Sequence, residues 1–313
     1  MKLVVVEPLG IEKEKVIQLA ESASKEKNEI IYYDTRTEDT NELIERAKDA
    51  DIVVLANLPF RKDVIEHCKN LKLISVAFTG VDHIDMDYCK QNNIMVCNCA
   101  GYSTIAVSEL VFGMAISLYR NIIACDSVTR KEGTKNGLVG FELCGKKFGI
   151  VGTGAIGLRV ANIAQAFGCE VFAYSRTVKE NQPVKYVDLD TLLSECDIVS
   201  LHVPLNEKTK GLINKEKLSK MKKTAILINT ARGPVVDSEA LAEALDNGII
   251  AGAAIDVFEK EPPIDASHPL LKAKNALVTP HVAFATKEAL EKRAEIVFDN
   301  VAKFLEGNPQ NIM

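Results

Sequence analysis

The chain has 313 residues, 47% of them hydrophobic and 26% charged, with 6% aromatics and no Trp. That length suits two domains with largely aliphatic cores. A formal net charge of −5, with no long basic run and no basic–aromatic interleaving, disfavours nucleic acid and acidic membrane surfaces as partners.

The first segment, "MKLVVVEPLG", carries an apolar run too short for a signal peptide and reads as a buried strand. The runs "EIIYY", "DIVVLA", "LKLISVAF" and "IMVCN" follow, separated by helical stretches such as "EKEKVIQLAESASK". Nearly continuous apolar strands belong to parallel sheets covered on both faces by helices. This block ends near Cys99. A long helix from about Thr104 to Ile123 then leads to a second block. Glu109 and Arg120 keep its apolar run too short to span a bilayer, so it reads as a buried helix.

The second series runs "KKFGIVG", "EVFAY", "DIVSLHV", "TAILINT", "IAGAAIDV" and "NALVTP", again alternating with helices. The predicted class is therefore α/β, with two doubly wound parallel-sheet domains. The closing segment is helical, with apolar spacing at Leu290, Ala294, Val297, Val301 and Leu305, and is expected to return to the first block. The expected domains are residues 1–99 with 284–313, and residues 100–283. Among eight cysteines, Cys97 and Cys99 form C-x-C without a second pair or nearby His, so no metal site is expected. They read as small core residues of a reduced cytoplasmic protein.

"GIVGTGAIG" sets Gly152, Gly154 and Gly157 in G-x-G-x-x-G, with Ala155 and Ile156 between, after a strand and before the helical "LRVANIAQAFG". Such glycines permit a tight turn, close approach of a pyrophosphate to backbone N–H groups, and close helix–strand packing. Roughly twenty residues on, the end of the next strand contacts the adenine ribose. Ser175, Arg176 and Thr177 stand there instead of an acid. Two hydroxyls and a guanidinium suit a 2′-phosphate, so NADP(H) is favoured over NAD(H). The competing reading makes "TVKE" a capping box, with Thr177 and Glu180 opening a helix.

Three further strand ends carry chemistry. "LINTARGPVVD" presents Arg232, "AAIDVFEKEPP" presents Asp256 and Glu261, and "LVTPHVAFAT" presents His281. Ligands of open α/β sheets bind beyond the carboxyl ends of strands, so a cation, an acid and an imidazole are expected to converge there. His83 and His202 are weaker candidates for the acid–base role. His67 and His268 read as surface residues.

With "FELCGKKFGIVGTGAIG", "LHVPLNEKTKGLIN", "AILINTARGPVVD", "AIDVFEKEPP" and "TPHVAFAT" in this order, the chain resembles the D-isomer-specific 2-hydroxyacid dehydrogenase family along essentially its whole length. The resemblance implies a Rossmann cofactor domain and a flavodoxin-like substrate domain joined by crossover helices. It implies Arg232, Glu261 and His281 as the catalytic set. His281 would exchange a proton with the C2 oxygen while hydride passes between nicotinamide and C2, Glu261 would orient the imidazole and favour its charged form, and Arg232 would hold the carboxylate. Backbone N–H groups of Phe78, Thr79, Gly80 and Val81 would cradle that carboxylate, with Tyr102 and Phe284 as an aromatic wall. Val203, Pro204, Thr209, Thr230 and Ala231 would border the cofactor, and Asp256 would bond the nicotinamide amide. The implied activity is reduction of a small 2-ketoacid, of the hydroxypyruvate or glyoxylate type, in the cytoplasm, and the apolar crossover helix suggests a homodimer, as the family generally forms. Within the same resemblance, formate dehydrogenases carry glutamine where Glu261 stands. A phosphoglycerate dehydrogenase or a cofactor-sensing corepressor scaffold are the alternatives.

Overall fold

The computed structural model describes residues 1–24, 28–261 and 263–313. Lys25 of the first predicted helix and Pro262 of the FEKEPP motif lie outside them. Two units form, Met1–Ser103 with Ala285–Met313, and Thr104–Phe284.

In the first unit, β1 (Lys2–Val5), β2 (Glu29–Tyr32), β3 (Ile52–Leu55), β4 (Leu73–Val76) and β5 (Met95–Cys97) make a sheet of order β2-β1-β3-β4-β5. Every pairing is parallel. That order is the flavodoxin-like one. The helices between these strands are α1 (Lys13–Ser24), α2 (Thr40–Ala47), α3 (Lys62–Ile65) and α4 (Met86–Gln91). Strands β3 and β4 are buried at every residue, as their unbroken apolar runs require. Each Leu, Ile or Val so buried contributes about 1.5–3 kcal/mol.

The second unit begins with α5 (Thr104–Tyr119) and α6 (Ile122–Thr129). It continues through β6 (Lys147–Val151), α7 (Ala155–Ala166), β7 (Glu170–Tyr174), β8 (Lys185–Tyr186) and α8 (Leu189–Glu195). Then come β9 (Ile198–Leu201), α9 (Lys215–Lys220), β10 (Ile226–Asn229), α10 (Ser238–Asp246), β11 (Gly252–Ile255) and β12 (Ala276–Val278). Its sheet, of order β12-β11-β10-β9-β6-β7-β8, is also parallel throughout. The order reverses between β6 and β9, the switch point where doubly wound sheets bind nucleotides.

The final helix, α11 (Lys287–Leu305), packs in the first unit. Ala294, Val297 and Val301 are fully buried, and Ser75 Oγ donates to Val297 O at 2.9 Å. The predicted return of the chain is therefore built from a strand serine and a helix carbonyl as well as from apolar packing.

Two local readings are corrected. The helix expected to run to Ile123 stops at Tyr119, because Asn121 takes a left-handed φ of 52°. Asn is one of the few residues that adopt this conformation at low cost, and the axis bends by 57° there. No helix follows Thr177, so the capping box does not form; the chain turns and enters the two-residue β8 instead. As expected, α5 is a core helix, with Val111, Phe112, Met114, Ala115 and Tyr119 buried in the core of the unit. Among the described residues no single helix is long and apolar enough to cross a membrane. All eight cysteines are free and six are buried. Burial pushes the Cys99 thiol up to about 12.

Candidate active site

The nucleotide turn sits between β6 and α7. Gly154 is the N-cap of α7 and offers no side-chain cap, so the first-turn N–H groups of a twelve-residue helix are met by no capping side chain. A Cβ on Gly154 would meet nothing within 4 Å, whereas one on Gly157 would lie 2.0 Å from Gly152 O. The first glycine thus leaves open space above a helix N-terminus, and the second lets helix and turn touch. Gly152 has a φ of 102°, while Ala155 and Ile156 form the first turn of the helix.

Around this turn the other predicted contacts are distributed unevenly. Ser175 is half-buried at the end of β7, and Arg176 and Thr177 are exposed beyond it. Val203 is half-buried and Pro204 exposed after β9. The Thr209 hydroxyl donates to Pro204 O at 2.6 Å and accepts from Asn206 N at 2.9 Å, so it closes its own loop. Thr230 is 8% exposed, and its Oγ1 has no hydrogen-bond partner among the described residues. Leaving a buried hydroxyl unmet costs about 1–3 kcal/mol. A helix N-terminus facing open space and an orphaned hydroxyl at the end of β10 fit a polar, anionic dinucleotide.

The three chemical residues follow three neighbouring strands, β10, β11 and β12. Buried Asn229 shapes the first strand end: its Oδ1 accepts from Ala231 N at 3.0 Å, and its amide donates to Arg232 O at 2.9 Å. Arg232 is half-buried there. The backbone then passes so close to the next strand end that a Cβ on Gly233 would lie 2.1 Å from the Phe258 carbonyl carbon. Glu261 Oε1 accepts from Phe258 N, and its Oε2 is bonded to His281 Nδ1. The two side chains are 18% and 20% exposed respectively. Phe284 packs edge-on against the imidazole, with ring centroids 5.5 Å apart.

His281 sits at φ 54°, a left-handed backbone that costs roughly 1–3 kcal/mol unless its surroundings enforce it. Asp256 supplies that enforcement. Its carbonyl accepts from His281 N at 2.7 Å. Its carboxylate, 0% exposed, accepts from Thr279 Oγ1 at 2.5 Å, Val282 N at 2.8 Å and Ala283 N at 2.9 Å. Burial raises its carboxyl above the usual range, and these bonds only partly offset the rise. The geometry gives Asp256 a task that the sequence reading had not assigned, gripping the turn that presents the imidazole.

Three of the other histidines are set apart by their surroundings. His202 bonds Ser200 Oγ at 2.9 Å, and burial pushes it down to about 3, so it stays neutral and is a poor proton donor. His67 is exposed. His268, read as a surface residue, is instead bonded to Glu259 and only 14% exposed at its side chain.

In the first unit, the turn after β4 holds Phe78 buried, Thr79 exposed, and Gly80 and Val81 half-buried. Cys99 N donates to Phe78 O at 2.9 Å and Asn98 Nδ2 to Thr79 O at 2.8 Å, fixing the turn from behind. Tyr102 departs from the aromatic-wall expectation, being 3% exposed, with burial pushing its hydroxyl up to about 12. The Arg293 guanidinium, on α11, lies 5.4 Å from the Phe78 ring and 5.8 Å from that of Tyr102. Sequence reasoning missed Arg293, Asn229 and Glu7. Glu7 accepts from Ala56 N at 2.7 Å, Asn57 N at 3.1 Å and Leu58 N at 3.2 Å, shaping the loop after β3. A charged residue closing an apolar strand, as in "LVVVE", was the available signal.

Residues 112–283 match the family described as D-isomer specific 2-hydroxyacid dehydrogenase, NAD binding domain. A hydroxypyruvate reductase of Blautia hydrogenotrophica is 36% identical over 91% of each chain. Among solved structures, an acyclic imino acid reductase (Bsp5) in complex with NADPH and D-Arg superposes with a TM-score of 0.91 at 30% identity, covering 100% of both chains. A D-lactate dehydrogenase from Aquifex aeolicus, complexed with NAD and lactic acid, gives 0.85 at 31% identity, covering 98% of this chain and 96% of that one. The chain belongs to the D-isomer-specific 2-hydroxyacid dehydrogenase family.

Proposed function

We propose that the protein reduces a small 2-ketoacid, of the hydroxypyruvate or glyoxylate kind, to the D-2-hydroxyacid. The observation that carries this reading is the Glu261–His281 bond, with these two residues and Arg232 following the carboxyl ends of adjacent strands of the sheet that bears the glycine turn. When bound, the nicotinamide cofactor supplies the hydride that enters C2. Glu261 takes Nδ1 of His281, which leaves Nε2 on the opposite edge of the ring for the substrate oxygen. His281 gives its proton to that oxygen as the alcohol forms, and Glu261 balances the charge on the imidazolium. Arg232 pairs with the carboxylate next to the ketone and polarises it. The hydroxypyruvate reductase at 36% identity supports the substrate class. Oxidation of NADPH and NADH with hydroxypyruvate, glyoxylate, pyruvate, branched 2-ketoacids and 3-phosphohydroxypyruvate tests the proposal. Turnover with none of them overturns it.

For the cofactor, Gly154 to Gly157 and the N-terminus of α7 hold the pyrophosphate, with Thr230 and Ala231 along the strand ends. Ser175, Arg176 and Thr177 favour the 2′-phosphate of NADP(H). Unit charges about 4 Å apart at an effective dielectric of 20 attract by about 4 kcal/mol before mobility and desolvation reduce it. A net preference of roughly tenfold remains reasonable at 1.4 kcal/mol per decade. Arg176→Ala is expected to lower the NADPH/NADH ratio of kcat/KM by about that factor. An unchanged ratio would remove Arg176 from cofactor choice.

We place the protein in the reducing cytoplasm, where eight unpaired cysteines persist. The homodimer reading moves from α5 to the segment after it. Helix α6 buries none of its residues, yet Ile122 and Ile123 are 44% and 64% exposed. Val139 and Phe141 nearby in the chain are 83% and 58% exposed. Such residues gain burial against a second copy. Ile123→Glu combined with Phe141→Glu is expected to convert a dimer into a particle of 34.3 kDa by analytical ultracentrifugation. A wild-type monomer, or an unaffected dimer, would overturn the assignment.

A further inference from the structure

The loop after β11 carries the acid of the proton-transfer pair, and it also carries a second histidine–carboxylate pair that the reaction does not use. His268 Nε2 lies 2.9 Å from Glu259 Oε2, and the other oxygen of Glu259 accepts from Ser238 Oγ at 2.6 Å. Ser238 is the first residue of α10 and is 8% exposed. His268 caps the short 3-10 turn Pro269–Leu271, its Nδ1 accepting from Leu270 N at 3.4 Å. The imidazole also packs edge-on against Phe258, at 5.0 Å and 90°.

Phe258 is where the two pairs meet. Its ring is held by His268, and its amide donates to Glu261 Oε1, whose other oxygen is bonded to His281. A helix start and a 3-10 turn are thus tied to Phe258 and Glu259, three and two residues before Glu261. Burial works to raise the Glu259 carboxyl, and the bonds from Ser238 and His268 outweigh it, so the group is held below the usual carboxylate range. A lone exposed ion pair contributes little, but this one has a hydroxyl and a packed ring on the same two residues.

We propose that Ser238, Glu259 and His268 form a positioning latch that holds the Phe258–Glu261 loop, and through Glu261 fixes the orientation of the His281 imidazole. The inference rests on reading Glu261–His281 as the proton-transfer pair. None of the three touches the reacting atoms; they act through Phe258 and Glu261. The physical need is clear, since catalytic groups must be held within about 0.5 Å and 10–20° by neighbours whose own rotamers are locked. The described residues between β11 and the 3-10 turn have no ladder of their own to do this.

The test is a double-mutant cycle on the full chain, with the ketoacid of highest turnover. Glu259→Ala and Ser238→Ala are expected to lower kcat about tenfold, in line with the cost of small misplacements, with KM for the ketoacid within about twofold. Ser238→Thr, which keeps the hydroxyl, is expected to restore kcat. In the Glu261→Gln background neither Ala substitution should lower kcat further. In the cofactor-free protein the His281 Nδ1–H proton resonance, assigned by its loss in His281→Gln, should be broadened by exchange in both variants. Equal fold-losses in the two backgrounds, or an unchanged kcat and resonance, overturn the latch. Should Glu261→Gln alone leave kcat unchanged, the reading of the catalytic pair fails first, and the latch with it. Ser238→Ala removes one bond from one helix start, so it reports even if Glu259→Ala does not fold.

Discussion

Replacing His281 by Gln lowers kcat for ketoacid reduction at least about 100-fold, the usual scale for losing a general acid. The loss follows from the site. Arg232 and the glycine turn are untouched, so binding of cofactor and ketoacid changes far less than turnover. The backbone at 281 has a φ of 54°, and Gln accepts this conformation less readily than His or Asn. His281→Asn therefore accompanies it, since Asn tolerates left-handed backbone and also lacks the acid. Both variants should show the same fall in kcat, with cofactor affinity by fluorescence titration near that of wild type. A turnover close to normal in either would move proton transfer to another group. His202 is a weak substitute, because burial holds it neutral down to about pH 3.

Arg232→Ala is expected to cost at least about 10²-fold in kcat/KM for every 2-ketoacid. Hydrogen bonds to charged groups contribute about 1.5–3 kcal/mol each, and two of them to one carboxylate exceed two decades at 1.4 kcal/mol per decade. Part of the loss should appear in KM, from the ground-state carboxylate, and part in kcat, from the lost polarisation of the ketone. Added guanidinium should recover some activity in the variant and none in wild type. If kcat/KM falls only a few-fold, the carboxylate is held by another group. Asn229 holds the Arg232 turn through backbone groups, so the truncation should leave the strand end intact.

The alternation of apolar runs and amphipathic stretches is enough to define the α/β class. The closed, buried strands β3 and β4 could have been nothing else at that length and composition. The glycine turn was equally legible, because each glycine answers a steric demand of a few ångströms within one short segment. Arg232, Glu261 and His281 could be picked out because each stands just beyond a readable strand. The break at Asn121 was missed because a single left-handed residue leaves the hydrophobic period on either side unchanged. The non-existent helix after Thr177 had the opposite cause: the four residues of a capping box say nothing about whether a helix is there to cap.

By itself, then, the amino-acid order determined the main strands and the turn that receives a dinucleotide, since these depend on periods and spacings within about twenty residues, while the short β8 went unread. It also set Arg232, Glu261 and His281 beyond strand ends, where the family resemblance gave them their proposed roles. Only the tertiary structure decided what holds those side chains. Asp256 gripping the His281 turn, Asn229 clamping the end of β10, and Glu259 tied to Ser238 and His268 join residues 2 to 27 positions apart. Their hydrogen bonds follow from the packing order of β10, β11 and β12, which the sheet sets through long-range pairing. A carboxylate written in the sequence looks the same whether it faces water, a substrate or a backbone amide. Packing determines which of these it meets.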